Sequence, residues 1–242
     1  MEQASSGRGL VVAIDGPSGS GKSTVSRRVA AELGLAYLDT GAMYRAATWW
    51  CQHEGIELTD AARVAEAVRA MPLEMGTDPA APRVVCAGVD ITDAIRTSAL
   101  SAVVSQVATN LEVRAELCRL QRAAIEAEAT GAAGSRSGGR GIVAEGRDIT
   151  TVVAPDADVR ILLIADEEAR LARRALELHG TADASTMAAT RDEVVRRDAD
   201  DSTVSTFMTA ADGVTTVDTS GLTLEDSFRA VLGIVQGAGE RR

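Results

Sequence analysis

Residues 11–30 read VVAIDGPSGSGKSTVSRRVA. Within them GPSGSGKS (16–23) satisfies G-x-x-x-x-G-K-[ST] at every fixed position. The apolar run LVVAI (10–14) precedes it and reads as a buried parallel strand. KSTVSRRVAAELG (22–34) follows and reads as a helix closing at Gly34. That context is what the motif's mechanism requires. Gly16, Gly19 and Gly21 let the backbone wrap an anion without Cβ clashes. The loop amides then point inward with a helix N-terminus behind them. Lys22 reaches the β- and γ-phosphates, and Ser23 is placed to ligate Mg²⁺.

Lys22 is the only lysine in the chain; the other 24 of its 25 Lys and Arg residues are arginine. A compact ammonium fits a glycine nest, whereas a planar guanidinium is bulkier and prefers forked contacts. A chain that elsewhere uses arginine therefore has a physical reason to keep one lysine here.

The alternation continues along the 242 residues. LAYLD (35–39) reads as a strand and GAMYRAATWWCQHEG (41–55) as a helix, with Trp49 and Trp50 packing on neighbouring elements. Residues 60–104 break the pattern: a helix, then short strands around PLEM, PRVVCAG and VDIT, forming a small α+β insert. AIRTSALSAVVSQVATN and LEVRAELCRLQRAAIEAEA read as helices. TGAAGSRSGGRG (130–141) reads as a mobile surface loop. IVAEG and DVRILLIA resume the buried strands, two helices follow across about 166–204, and VTTVDTS and LTLEDSFRAVLGIVQG close the chain. Strands alternating with helices predict an α/β fold of three layers, a parallel central sheet covered on both faces. The ligand belongs at the carboxyl ends of the strands.

The formal net charge of −10 argues against nonspecific nucleic-acid binding, which needs clustered cations. No apolar run is long enough to span a bilayer, and the N-terminal residues carry no signal-peptide pattern. Cys51, Cys86 and Cys118 show no metal or disulfide spacing, so buried free thiols in a reducing cytoplasm are expected. A monomer is expected as well.

Phosphate loops serve switches, motors and small-molecule kinases. A guanine-reading N-K-x-D segment is excluded because no second lysine exists. ILLIADE (161–167) imitates the acidic strand of a motor ATPase, with Asp166 and Glu167 as metal ligand and base. The preferred reading is that Asp166 caps the next helix and Glu167 and Glu168 favour its N-terminus. That helix carries Arg170, Arg173 and Arg174 on roughly one face, which suits a lid over a transferring phosphoryl group. The alternative is a solvated basic face. Arg45, Arg96, Arg114 and Arg147 sit beside acidic or hydroxyl neighbours at element ends. Each alone reads as a surface charge; together they make a pocket for one phosphate and one base. Asp148 is placed to accept from an exocyclic amine.

IDGPSGSGKST (14–24), YLDTGAMYR (37–45), IRT (95–97), SQVA (105–108), EGRDITTVVAPDADVRILL (145–163) and RRDADDS (196–202), in this order, resemble bacterial cytidylate kinases, from about residue 10 to about 235. The resemblance implies a nucleoside-monophosphate kinase with a phosphate-loop core (10–59 and 105–242), an acceptor-binding insert (60–104) and a helical lid (about 166–204). The ends, 1–9 and 237–242, are expected to be flexible tails. It implies that Gly16, Pro17, Ser18, Gly19, Ser20, Gly21, Lys22, Ser23 and Thr24 hold ATP phosphates. Arg45, Arg96 and Arg147 would hold the CMP phosphate. Ser105, Arg114 and Asp148 would read cytosine with help from Thr40, and Arg197 and Asp201 would reach the ribose and nearby phosphates. Two positions depart from the family pattern: Val204 stands where many members have arginine, and Thr150 where glycine is common.

The expected reaction is reversible in-line transfer from ATP to CMP or dCMP with Mg²⁺. Lys22, Arg147, Arg170, Arg173 and Arg174 would neutralise the transferring charge, and Glu145 is a candidate for arranging the waters of the metal. The competing readings are a kinase for UMP or another small acceptor, and a nucleotide-dependent regulatory ATPase.

Overall fold

The computed structural model describes residues 7–239. Strand β1 (Leu10–Asp15) leads through the glycine-rich turn into α1 (Lys22–Glu32). β2 (Ala36–Asp39) and α2 (Thr40–His53) follow. Then come α3 (Ala61–Arg69), the short strands β3 (Leu73–Met75), β4 (Val84–Cys86) and β5 (Val89–Asp90), α4 (Ser98–Ser101), α5 (Val104–Ala108) and α6 (Leu111–Thr130). The chain returns through β6 (Gly141–Gly146), β7 (Val159–Ile164), α7 (Glu167–His179), α8 (Ala184–Ser202), β8 (Thr215–Asp218) and α9 (Leu224–Gly239).

The main sheet has the order β2-β6-β1-β7-β8, and every pairing is parallel. Successive residues of β1 face opposite sides, so Val11 and Ala13 join one core while Val12 and Ile14 join the other. The first core packs against α2 and α6 residues such as Met43, Ala46 and Leu117; the second packs against Val25 and Val29 of α1 and Phe228 and Val231 of α9. These are the three layers the alternation predicts. Registers Asp15↔Gly146 and Asp39↔Glu145 bring the ends of β1, β2 and β6 to one edge.

The short strands expected in the α+β segment are present, and they pair as an antiparallel meander, β3-β4-β5. Its Val64, Val68, Val84, Cys86 and Ile95 are buried in the same cluster as α2 and α6. Trp50 Nε1 donates to the Ala67 carbonyl at 3.1 Å, and Trp49 stacks on His53 at 4.8 Å, so the tryptophan pair packs as expected. All three cysteines are free thiols.

Three expectations change. The stretch 94–109 is not a continuous helix but a 3₁₀ turn (Ala94–Arg96), α4 and α5, because Thr97 takes an extended conformation and caps α4 through its hydroxyl. The 130–141 loop is not loosely attached. Glu128, buried near the end of α6, accepts from Ser135 Oγ at 2.7 Å, Ser137 N at 2.8 Å and Arg136 N at 3.0 Å. Residues 237–239 belong to α9, and Gly9 N donates to the Ala129 carbonyl at 2.7 Å, so neither is a tail. Of the expected tails, 1–6 and 240–242 lie outside the described residues.

Candidate active site

The phosphate loop takes its shape from its glycines. Gly19 and Gly21 have φ of +77° and +87°, where an L side chain is strained. A Cβ on Gly19 would also meet the Arg170 carbonyl oxygen at 2.4 Å, so α7 sits directly on the loop. Outward-facing carbonyls of the loop are held from behind. Arg170 Nη1 donates to Ser18 O at 3.1 Å, and Thr219 Oγ1 donates to Ser20 O at 3.1 Å. Pinning the carbonyls fixes the peptide planes and hence the direction of the amides.

One cavity of about 480 Å³ runs from this loop to α5 and α6. That is the size of a small-ligand site. It gathers Ser18 to Thr24, Thr40, Arg45, Arg96, Arg114, Arg147, Asp148, Arg173, Arg174, Arg197 and Asp201 in one place. Eight basic and five acidic side chains line it, so a locally cationic cleft sits in an acidic chain. The buried Nε atoms of Arg45 and Arg197 make no hydrogen bond. Buried donors are normally paired, so the cleft is chemically matched to a ligand rich in acceptor oxygens.

At the loop end, Ser23 Oγ donates to Glu145 Oε1 at 2.7 Å and Tyr37 Oη donates to the same oxygen at 3.1 Å. Burial, with the neighbouring Asp39 charge, pushes the Glu145 carboxyl up; Lys22, Ser23 and Tyr37 oppose the rise. Burial also lowers the Lys22 ammonium, with Arg147 and Arg197 adding to the shift and Glu145 opposing it. Lys22 Nζ donates to the Pro17 carbonyl at 3.2 Å.

At the other end, Asp39 caps α2 by accepting from Ala42 N at 2.8 Å and holds Arg45 Nη2 at 3.0 Å. Arg96 Nη2 lies 3.8 Å from the same carboxylate. Burial alone would raise Asp39, but Arg45, the Ala42 amide, Arg96 and Lys22 together hold it below the usual carboxylate range. Arg114 donates to Asp148, and its guanidinium lies over the Tyr44 ring at 5.7 Å. Burial raises the Asp148 carboxyl against the pull of Arg114. Arg197 is pushed down to about 10 by burial and by the nearby Arg147 and Arg45 charges. Thr40 Oγ1 ties the start of α2 to β6 by donating to the Glu145 carbonyl at 2.8 Å.

A model of the cytidylate kinase family matches residues 12–237. The cytidylate kinase of Cutibacterium acnes is 50% identical over 231 residues, 93% of this chain and 96% of the relative. That of Streptomyces griseus subsp. griseus is 46% identical, over 94% of this chain and 93% of the relative. The chain belongs to the cytidylate kinase family. It is therefore a phosphotransferase of that family. A solved structure, that of TT1252 from Thermus thermophilus, is 21% identical, covers 93% of the chain and gives a TM-score of 0.39. That score adds nothing to the fold described above.

Some residues expected in this kinase's site lie elsewhere. Gly16 and Pro17 form the back of the phosphate loop and do not line the cleft. Arg170 does not line it either: it is buried between Asp198 and the Ser18 carbonyl. Ser105 is also outside the lining, and α5 turns Val104 and Ala108 to the cleft with Ser101 of α4 beside them. The break between α4 and α5 sets that phase. Asp166 caps α7 by accepting from Ala169 N at 2.7 Å, which is the capping reading of that segment. Val204 follows α8 outside the lining, while Ser205 is within it. Thr150 is more than a turn residue: it is buried and donates to Asp15 Oδ2 from both N (2.8 Å) and Oγ1 (2.7 Å).

The sequence-based set lacks Asp39, Tyr44 and Ser101, which line the cleft, and Asp198, which pairs with Arg147 and Arg170. Asp39 had a signal, since an aspartate ending a strand and opening a helix is an N-cap pattern. The others depend on which helix face meets the cleft.

Proposed function

We propose that this kinase transfers the γ-phosphoryl group of ATP to CMP or dCMP, yielding ADP and CDP or dCDP. The observation that carries the reading is the single cleft joining the phosphate loop to an arginine and carboxylate set suited to a nucleoside monophosphate. The names of the relatives agree with it.

The loop amides and Lys22 would bind the donor phosphates. Arg45, Arg96 and Arg147 would bind the acceptor phosphate with forked contacts, holding its oxygen in line. Arg114 and Asp148 would read the base, with Ser101 beside them. Asp148 favours cytosine over uracil because a carboxylate accepts from the exocyclic amine, while uracil offers a carbonyl at that position. Arg197 and Asp201 would reach the ribose side. The acceptor oxygen is already anionic, so no strong base is needed, and Lys22, Arg174 and Arg147 would neutralise charge as the bond transfers. Arg173, expected to join them, instead donates to Thr219 O at 2.6 Å, Thr219 Oγ1 at 3.0 Å and Ser20 O at 3.4 Å, behind the loop. Arg170 acts from behind, by holding the loop.

The oxygen-only pair of Ser23 and Glu145 beside Lys22 fits a hard cation. No group of three or more His, Cys, Asp or Glu able to hold a metal occurs among the described residues. Mg²⁺ accords with that, since it keeps waters and leans on substrate phosphates. When bound there through Ser23, with Glu145 ordering its waters, it would supply charge neutralisation at the phosphates. No helix among the described residues is long and apolar enough to cross a membrane. We expect the enzyme to act in the cytoplasm as a monomer, without nucleic acid.

The test is ADP release from ATP with a panel of monophosphates. CMP and dCMP should give the highest kcat/KM, and UMP a value at least about ten-fold lower. Lys22→Ala should lower kcat by about 10²-fold or more while leaving the fold intact. ATP loss that is independent of any monophosphate would instead support the ATPase reading.

A further inference from the structure

Arg147 is held on two sides by α8. Its Nη1 donates to Asp198 Oδ1 at 2.8 Å, and its Nε lies 2.7 Å from Asp201 Oδ2. The Phe207 ring sits against its guanidinium at 4.4 Å. The second oxygen of Asp198 is taken by Arg170, whose Nη1 also reaches the Ser18 carbonyl at 3.1 Å. Ser18, Arg170, Asp198 and Arg147 thus form one continuous polar chain. It starts in the loop for the donor phosphates and ends on an arginine for the acceptor phosphate.

Asp198 itself does not line the cleft and is 8% exposed. Burial acts to raise its carboxyl, but Arg147 and Arg170 hold it below the usual carboxylate range. It is therefore an anion between two cations in a site shielded from salt. A carboxylate beside a phosphate-binding arginine opposes anion binding by Coulomb's law. Its contribution is therefore one of geometry. It fixes one edge of the Arg147 guanidinium and leaves Nη2 outside these two contacts.

We propose that Asp198 is a positioning residue that couples the two half-sites: α7 and α8 seated on the occupied phosphate loop hold Arg147 in the orientation that binds the acceptor phosphate. This rests on the assignment of CMP as acceptor given above. Coupling of this kind is reciprocal and typically changes affinity about 5–150-fold.

Calorimetric titration of CMP, with and without a saturating non-hydrolysable ATP analogue and Mg²⁺, tests it. In the parental enzyme the analogue should tighten CMP at least about 5-fold. In Asp198→Asn that ratio should fall to near one, and CMP should tighten the analogue no further. Asp198→Glu, which restores the charge, should recover part of the ratio. A purely structural role would lower thermal stability and leave the ratio intact. An unchanged ratio in a folded Asp198→Asn, or no coupling in the parental enzyme, overturns the proposal. Should Asp198→Asn fail to fold, Arg170→Gln cuts the same chain from the other side and carries the same expectation. Failure of the parental enzyme to bind CMP at all would instead count against the acceptor assignment.

Discussion

The Ser23 hydroxyl donates to Glu145 Oε1 at 2.7 Å, joining the residue after the phosphate-loop lysine to the end of a strand 122 positions away. Glu145→Gln keeps the shape and removes the charge that would order metal-bound water. The Mg²⁺ concentration for half-maximal rate should rise about 10- to 100-fold. Ser23→Ala should shift it the same way. A magnesium titration of Glu145→Gln that overlays the parental curve would remove Glu145 from the metal site.

Asp148 and Arg114 are the base-facing pair. Asp148→Asn should lower kcat/KM for CMP by about 10- to 100-fold, the worth of one charged hydrogen bond, while the KM for ATP changes little. Steady-state kinetics with each substrate varied in turn decides it. If the ATP term rises and the CMP term does not, Asp148 serves the donor.

Asp15 accepts from Ile149 N at 2.9 Å as well as from Thr150. Burial nevertheless raises its pKa from 3.8 to about 6, with those donors pulling it back. The folded state then binds more protons than the unfolded state between about pH 4 and pH 6. Its stabilisation is complete below the unfolded pKa and is lost as pH rises through about 6, a change of roughly 3 kcal/mol. Asp15→Asn should therefore gain stability relative to the parental enzyme between pH 4 and pH 7. Urea unfolding of both proteins at the two pH values measures the difference. A variant-minus-parent gap that stays constant with pH would show that Asp15 does not titrate in this window.

Glu128 ties the 130–141 loop to α6 and also accepts from Thr77 Oγ1 at 2.8 Å. Burial would raise its carboxyl, but the Ser137 and Arg136 amides and the Ser135 and Thr77 hydroxyls hold it at about 2. Its stabilisation is present above the ordinary glutamate range and is lost as pH falls towards 2. Glu128→Gln should cost about 2 kcal/mol and lower Tm by roughly 4–8 °C, with kcat unchanged because Glu128 is outside the cleft. Calorimetry beside the coupled assay checks both halves; a loss of kcat at unchanged Tm would contradict this role.

The phosphate loop was legible because its shape is local. Gly19 and Gly21 supply the positive φ values, and the adjoining strand and helix show in a few residues of pattern. Arg45, Arg114, Arg147 and Asp148 were legible through motif order, and they do meet in one cleft. Helical spacing puts Arg170 on one face with Arg173 and Arg174, yet Arg170 points behind the loop. Helical spacing gives a face; the packing of α7 on Gly19 decides what that face meets. The 130–141 loop shows the same limit. Its Gly/Ser composition describes the chain's freedom, but Glu128, on the preceding helix, supplies the anchor.

By itself the sequence determined the alternation of strands and helices, the phosphate nest and its one lysine, since these follow from periodicity and backbone freedom over short spans. Tertiary structure alone decided that Asp198 bridges Arg147 and Arg170, that Asp15 grips Thr150, and that Ser101 rather than Ser105 faces the cleft. Those contacts depend on burial and on the relative placement of elements far apart in sequence, where a shift of one residue in helix phase changes the partner.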